Sequence, residues 1–149
     1  MLGNLNEDQI EEILRQNVIG RIGCNADGIT YVVPLNYIYD GVNIYAHSSL
    51  GMKIAMMRKN PDICFQVDDI QSMVNWRSVI AWGKYEELTD DLERAQAIQK
   101  FKDRMIALLA EDSLRTVYGA TQRSDAAATQ KSIWYRIVLS KKTGKFENG

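Results

Sequence analysis

Apolar and polar positions follow two different spacings along the chain, and the switches between them mark its elements. Ile10, Ile13 and Leu14 recur at helical spacing behind Asn6, with Gln9 three residues after it, so a short amphipathic helix with a capping box is predicted. From Val18 the pattern becomes strand-like. It runs through VIGRIGCN, a turn at Ala26-Asp27-Gly28, ITYVVPLNYIY, a hairpin signal at Asp40-Gly41, and VNIYAHS, which predicts three successive antiparallel strands. Pro34 falls inside the second of them. Its missing N–H cannot join a ladder, so a bulge or a sheet edge is expected there.

A second short helix is predicted in SSLGMKIAMMRKNP, capped by Ser48 or Ser49 and stopped at Asn60-Pro61. DICFQVDD reads as a strand. VNWRSVIAWGKYEEL reads as a longer one that bends at Gly83. Thr89 is placed to cap the longest helix, about residues 90–111, whose stripe of Leu92, Ala95, Ile98, Phe101, Met105, Leu108 and Leu109 is expected to pack in the core. Ser113 to Lys131 is polar, without period, and reads as a loop. A last strand is expected at about residues 132–140, with KKTGKFENG as a tail. The sum is an α+β fold: six or seven mostly antiparallel strands forming a barrel, with three flanking helices.

Composition narrows the function more than the fold. With 149 residues, 46% of them hydrophobic, the chain can build one core without metals or disulfides, and it is read as a single domain over 1–149. The 18 basic and 19 acidic side chains are interspersed, which argues against a nucleic-acid partner. No apolar run is long enough to span a bilayer, and the acidic N-terminal stretch is unlike a signal peptide, so a cytoplasmic protein with no membrane partner is expected. Cys24 and Cys64 lack CxxC spacing and read as buried free thiols. A lone histidine, His47, excludes a multi-imidazole metal site within one chain, and no metal is expected. Phosphate-loop, Rossmann and serine-hydrolase motifs are missing.

Three segments carry candidate chemistry. The junction from Ala46 to Lys53 combines a helix N-terminus, the Ser48 and Ser49 hydroxyls and the Lys53 ammonium, a set that suits a phosphate monoester. The same residues also fit a plain helix cap beside a solvated lysine, and His47 fits a structural role. Asn75-Trp76-Arg77-Ser78 places an aromatic, a cation and a hydroxyl at one strand mouth, where they suit the polar edge of a flat heterocycle, although Trp76 equally suits core or interface. Val33, Pro34, Leu35 and Asn36 lie where the interrupted ladder offers main-chain groups to a planar ring.

Taken in order, GRIGCNADGITYVVPLNYIYDGVNIYAHSSLGMKIAMMRKNPDICFQVDD followed by NWRSVIAWGKYEEL resembles the flavin-binding split barrel of the pyridoxamine 5′-phosphate oxidase-like superfamily, closest to its nitroimidazole-resistance-type branch. The likeness spans about residues 18–88. It implies FMN as cofactor, with the ring along Val33, Pro34, Leu35 and Asn36 and the phosphate at His47, Ser48, Met52 and Lys53. It further implies polar contacts from Trp76, Arg77 and Ser78, and a homodimer in which an aromatic of the last strand, Trp134 or Tyr135, reaches the partner's flavin. The serine- and arginine-rich substrate segment and the C-terminus of true pyridoxamine-phosphate oxidases have no counterpart here, and Met52 stands where an arginine is common. The implied function is an oxidoreductase passing electrons from reduced flavin to a small oxidant, nitroaromatic or quinone-like, with NAD(P)H as a donor. The alternative is a non-enzymatic module holding FMN or haem, since relatives of this barrel bind haem or a deazaflavin.

Overall fold

The computed structural model describes residues 1–108 and 132–149. In chain order these form β1 (Leu2–Asn4), α1 (Glu7–Gln16), β2 (Ile19–Ala26), β3 (Ile29–Asn36), β4 (Ile38–Tyr39), β5 (Asn43–Ser48), α2 (Met52–Lys59), β6 (Asp62–Ser72), β7 (Asn75–Glu87), α3 (Asp91–Leu108) and β8 (Ile133–Asn148). The strands make one antiparallel sheet of order β3-β2-β6-β7-β8-β5-β4, with β1 on the far end of β8. The sheet curls without closing, as a split barrel flanked by helices.

Local signals explain several of these elements. Asn6 caps α1, its side chain accepting from the Gln9 amide while the Gln9 side chain accepts from the Asn6 amide, both at 2.9 Å. Asp27 and Gly28 have φ of 54° and 78°, the mirror-image turn that suits a two-residue hairpin between β2 and β3. The Asp40 carboxylate accepts from the Val42 and Asn43 amides and turns β4 into β5.

Four expectations need correction. ITYVVPLNYIY is not one strand: it breaks at Tyr37, and β3 and β4 end on opposite edges of the sheet. The cause is burial of Tyr37, whose ring meets Phe65 edge-on at 4.9 Å and whose hydroxyl donates to the Leu14 carbonyl at 2.7 Å. The KKTGKFENG segment is not a tail but the second half of β8, paired with β7 and β1. Asp90, not Thr89, caps α3 by accepting from the Glu93 amide at 3.0 Å. The buried face of α3 is Ala97, Ile98, Phe101 and Met105, whereas Leu92 and Ala95 are exposed. Leu109 and the segment Ser113 to Lys131 lie outside the described residues.

Strand alternation sorts the interior into two cores. Ile22, Phe65, Val67, Val79, Ala81, Tyr135 and Ile137 point into the barrel with Ile13 and Leu14 of α1 and Ile54 and Met57 of α2. On the other side of β5 and β8, Tyr45 and Trp134 pack against Ile98, Phe101 and Met105 of α3. Pro34 sits on the edge strand β3, opposite Arg21, where its lack of an N–H costs no ladder bond. At Gly83 the β7–β8 ladder shifts register, leaving Ser140 as an extra residue, and a Cβ on Gly83 would lie 2.4 Å from the Val138 carbonyl oxygen.

Candidate functional site

The opening of the split barrel lies between β3 and β5. These strands touch but share no ladder, because β4 takes the edge beside β5. Continuing the β4–β5 register, in which Ile38 faces Tyr45, would bring Asn36 opposite His47. The segment Val33–Asn36 and the junction after β5 therefore border the same opening. Within that segment Pro34 and Asn36 face outward and are exposed, while Val33 and Leu35 pack against the barrel core.

The junction itself divides. His47 and Ser48 are consecutive on a strand and point to opposite faces. His47 turns toward α3, its ring stacked on Trp134 at 4.3 Å and edge-on to Phe101 at 5.2 Å. Ser48 points into the barrel, as does Tyr135. The Ser48 and Tyr135 hydroxyls, both buried, lie close to one another and have no other hydrogen-bond partner among the described residues. Burial pushes the Tyr135 phenol well above the ordinary tyrosine range, with the nearby Ser48 hydroxyl acting in the opposite direction.

Directly after Ser48 the chain enters α2. Its N-cap is Gly51, with no side-chain cap, so the expected Ser48 or Ser49 cap does not form. The first bond to this turn is from the Ala55 amide to the Gly51 carbonyl at 3.0 Å, which leaves the amides of Met52, Lys53 and Ile54 without a helical acceptor. No acid lies in this first turn. Arg58 and Lys59, at the far end of α2, pair with Glu87 and Asp27, whereas Lys53 has no ion pair among the described residues. A partly buried lysine, three open amides at a positive helix end and two buried hydroxyls with no partner but each other form a place able to hold an anion. Met52 is half exposed beside them.

The remaining candidates lie elsewhere in the chain. Along β7, Glu87 faces Tyr135 whereas Ser78 faces Lys145, so the Trp76–Ser78 group sits roughly 30 Å of extended strand from the junction. A single chain does not bring them together. Trp76 and Ser78 lie on the outer face of the sheet, where Ser78 accepts from Gln66 at 3.0 Å in a network with Arg21 and Asp68. Arg77 faces the other way and pairs with Asp69 and Glu12. Trp134 is 1% exposed and Tyr135 0%, and both are interior residues of their own chain. Gly51 is the additional site residue, and only the structure places Tyr135 beside Ser48 of its own chain, because nothing in YRIV tells which face of β8 the tyrosine takes.

No described helix is long and apolar enough to cross a membrane, and among the described residues no cluster of His, Cys, Asp or Glu is arranged to hold a metal ion. Cys24 and Cys64 are free.

The split barrel and its half-open helix end define a class of α+β proteins, and comparison with known proteins places the chain within it. The profile of the pyridoxamine 5′-phosphate oxidase family matches residues 6–146, and the chain belongs to that family. Among solved structures, it is similar to an FAD-binding protein from Mesorhizobium loti (29% identity, 99% of both chains covered, TM-score 0.74). It is also similar in fold to a candidate 5-nitroimidazole antibiotic resistance protein from Bacteroides thetaiotaomicron (20% identity, 98% of this chain and 87% of that one, TM-score 0.73). A third neighbour is the flavocytochrome Anf3 from Azotobacter vinelandii (21% identity, 97% and 68% covered, TM-score 0.71). Among curated proteins, RA0666 from Rhizobium meliloti, itself uncharacterised, is 31% identical over 84 residues. That match spans 56% of each protein's length.

Proposed function

We propose that the protein binds FMN, with the phosphate at the N-terminus of α2 and the ring along the outward edge of β3. The observation that carries this reading is the uncapped start of α2 beside two buried hydroxyls, Ser48 and Tyr135, that have no partner but each other. Buried hydroxyls are normally satisfied, and an anion over this turn would accept from them, from the Met52 and Lys53 amides and from the Lys53 ammonium. The FAD-binding protein and the flavocytochrome among the neighbours support a flavin over other anionic ligands.

The flavin, when bound, supplies the hydride and electron chemistry. The chain's residues bind and orient it. Pro34 and Asn36 present an edge without competing ladder partners, and the barrel wall behind them, Val33 and Leu35, is apolar. No side chain is assigned as nucleophile, acid or base. The reading is thus an oxidoreductase that reduces a small oxidant such as a nitroaromatic or quinone at the expense of NAD(P)H.

A homodimer belongs to the same proposal. The outer face of β3-β2-β6-β7 carries a row of exposed apolar groups, Val32, Trp82 and Ile80, beside the polar Arg21–Gln66–Asp68–Ser78 network. A second copy seated there would bring Trp76 and Ser78 toward the other chain's flavin, which one chain alone does not do. The free Cys24 and Cys64 suit the reducing cytoplasm.

The test is an absorption spectrum of the purified protein after incubation with FMN. Retained flavin bands that bleach with NADPH support the oxidoreductase. A Soret band, or failure to retain FMN at micromolar concentration, contradicts it.

A further inference from the structure

A second place with the chemistry of an anion site lies between the end of α1, β4 and the middle of α3. Arg15, Lys100 and Arg104 converge there on an open cavity of about 170 Å³, lined also by Asn17, Ile38 and Tyr39. Asp40 is the only acid among its described lining residues, and that carboxylate is committed. Its Oδ1 accepts from the Val42 and Asn43 amides at 2.9 and 2.7 Å, and its Oδ2 lies 3.6 Å from the Lys100 Nζ. Burial alone would raise its pKa, but the two amides and Lys100 hold it below the ordinary carboxylate range.

The two guanidiniums are less committed: Glu11, the acid that feels the Arg15 charge, is itself paired with Lys142. Among the described residues neither Arg15 nor Arg104 lies within ion-pair distance of a carboxylate. Arg15 is held over the Tyr39 ring, 5.5 Å from its centre. One terminal nitrogen of Arg104 donates to the last carbonyls of α1, those of Arg15 at 3.2 Å and Gln16 at 3.4 Å. A guanidinium has five N–H donors in a fork that matches phosphate oxygens, so closing the end of α1 occupies only part of it.

We propose that this cavity binds the phosphoryl group of a small phosphate monoester, gripped by Arg15 and Arg104 with Lys100 at the rim. The size sets the class. At about 30 Å³ per water the cavity holds a phosphoryl group and a few attached atoms, well short of the ~300 Å³ or more that an enclosed cofactor takes. The site is distinct from the α2 junction, sharing none of its residues.

Isothermal titration of the full chain with inorganic phosphate tests this, using wild type, Arg15→Gln, Arg104→Gln and Lys53→Ala. Lys53→Ala is expected to keep this binding event. Arg15→Gln and Arg104→Gln are each expected to weaken it about tenfold or more, as loss of a charge-assisted pair does. Circular dichroism checks the fold of Arg104→Gln, and if that variant unfolds, Arg15→Gln decides the matter, since the exposed Arg15 side chain bonds no backbone. Absence of phosphate binding by the wild type up to tens of millimolar, or binding that survives in Arg15→Gln and disappears in Lys53→Ala, overturns the proposal.

Discussion

His47 on β5 and Trp134 on β8 are direct cross-strand partners, their rings stacked 4.3 Å apart at 23°. Phe101 meets both rings edge-on, at 5.2 and 5.5 Å, so the trio fastens α3 to the sheet. Trp134→Ala should therefore cost about 3–5 kcal/mol of stability, the range for deleting a buried aromatic, measured by urea unfolding. His47→Ala should destabilise less and leave FMN affinity close to wild type. Loss of FMN binding in His47→Ala with unchanged stability would place His47 in the cofactor site instead.

The tight passage at Gly83 has a separate consequence. A Cβ there meets backbone, the Val138 carbonyl 2.4 Å away, and backbone at a ladder shift yields less than a side chain. Gly83→Ala should cost roughly 1–3 kcal/mol, as overpacking does. A thermal midpoint equal to wild type would show that the bulge is soft.

Glu87 links acid sensitivity to the end of β7. Arg58 donates to both of its carboxylate oxygens, at 2.8 and 3.2 Å, and the Tyr85 hydroxyl donates at 2.6 Å. The Arg58 hydrogen bond is the main cause holding the Glu87 carboxyl below 4.5, against a smaller opposing effect of burial. A group whose pKa is depressed on folding stabilises the protein above its unfolded value and loses that contribution as pH falls through the folded one. Glu87→Gln should be less stable than wild type at pH 7, and the gap should close as pH falls through the depressed Glu87 range. A urea-midpoint difference that is the same at pH 7 and pH 3 would remove Glu87 from the acid limb.

The apolar row on the outer face makes an assembly prediction. Trp82, still 37% exposed in one chain, stands beside Cys64 on the neighbouring strand and near Ile80. Light scattering should give twice the 17.0 kDa chain mass for wild type. Ile80→Lys together with Trp82→Lys should halve it, because unpaired charges in a desolvated interface are costly. A wild-type protein that stays at single mass at high concentration would contradict the dimer.

Much of the fold was legible because its signals are local. The Asn6–Gln9 box, the Asp27-Gly28 turn and the Pro34 edge each follow from one or two residues acting on their own backbone. The break at Tyr37 was not, since it depends on Phe65 and Leu14, which are distant in sequence. KFENG resembles a tail for the same reason: polar residues at a strand end declare themselves only through partners on β7 and β1. In the candidate site, the helix end and Lys53 could be read from the chain. That His47 turns away and Tyr135 turns in depends on strand phase, which a shift of one residue would reverse.

A phosphate anchor at the start of α2 should separate FMN from riboflavin in affinity. The two share the ring and differ in the phosphate. By flavin fluorescence titration, FMN should bind wild type at least about tenfold more tightly than riboflavin, and Lys53→Ala should erase most of that difference while leaving riboflavin affinity unchanged. Equal affinities of the wild type for FMN and riboflavin, or an FMN preference that survives Lys53→Ala intact, would contradict the account.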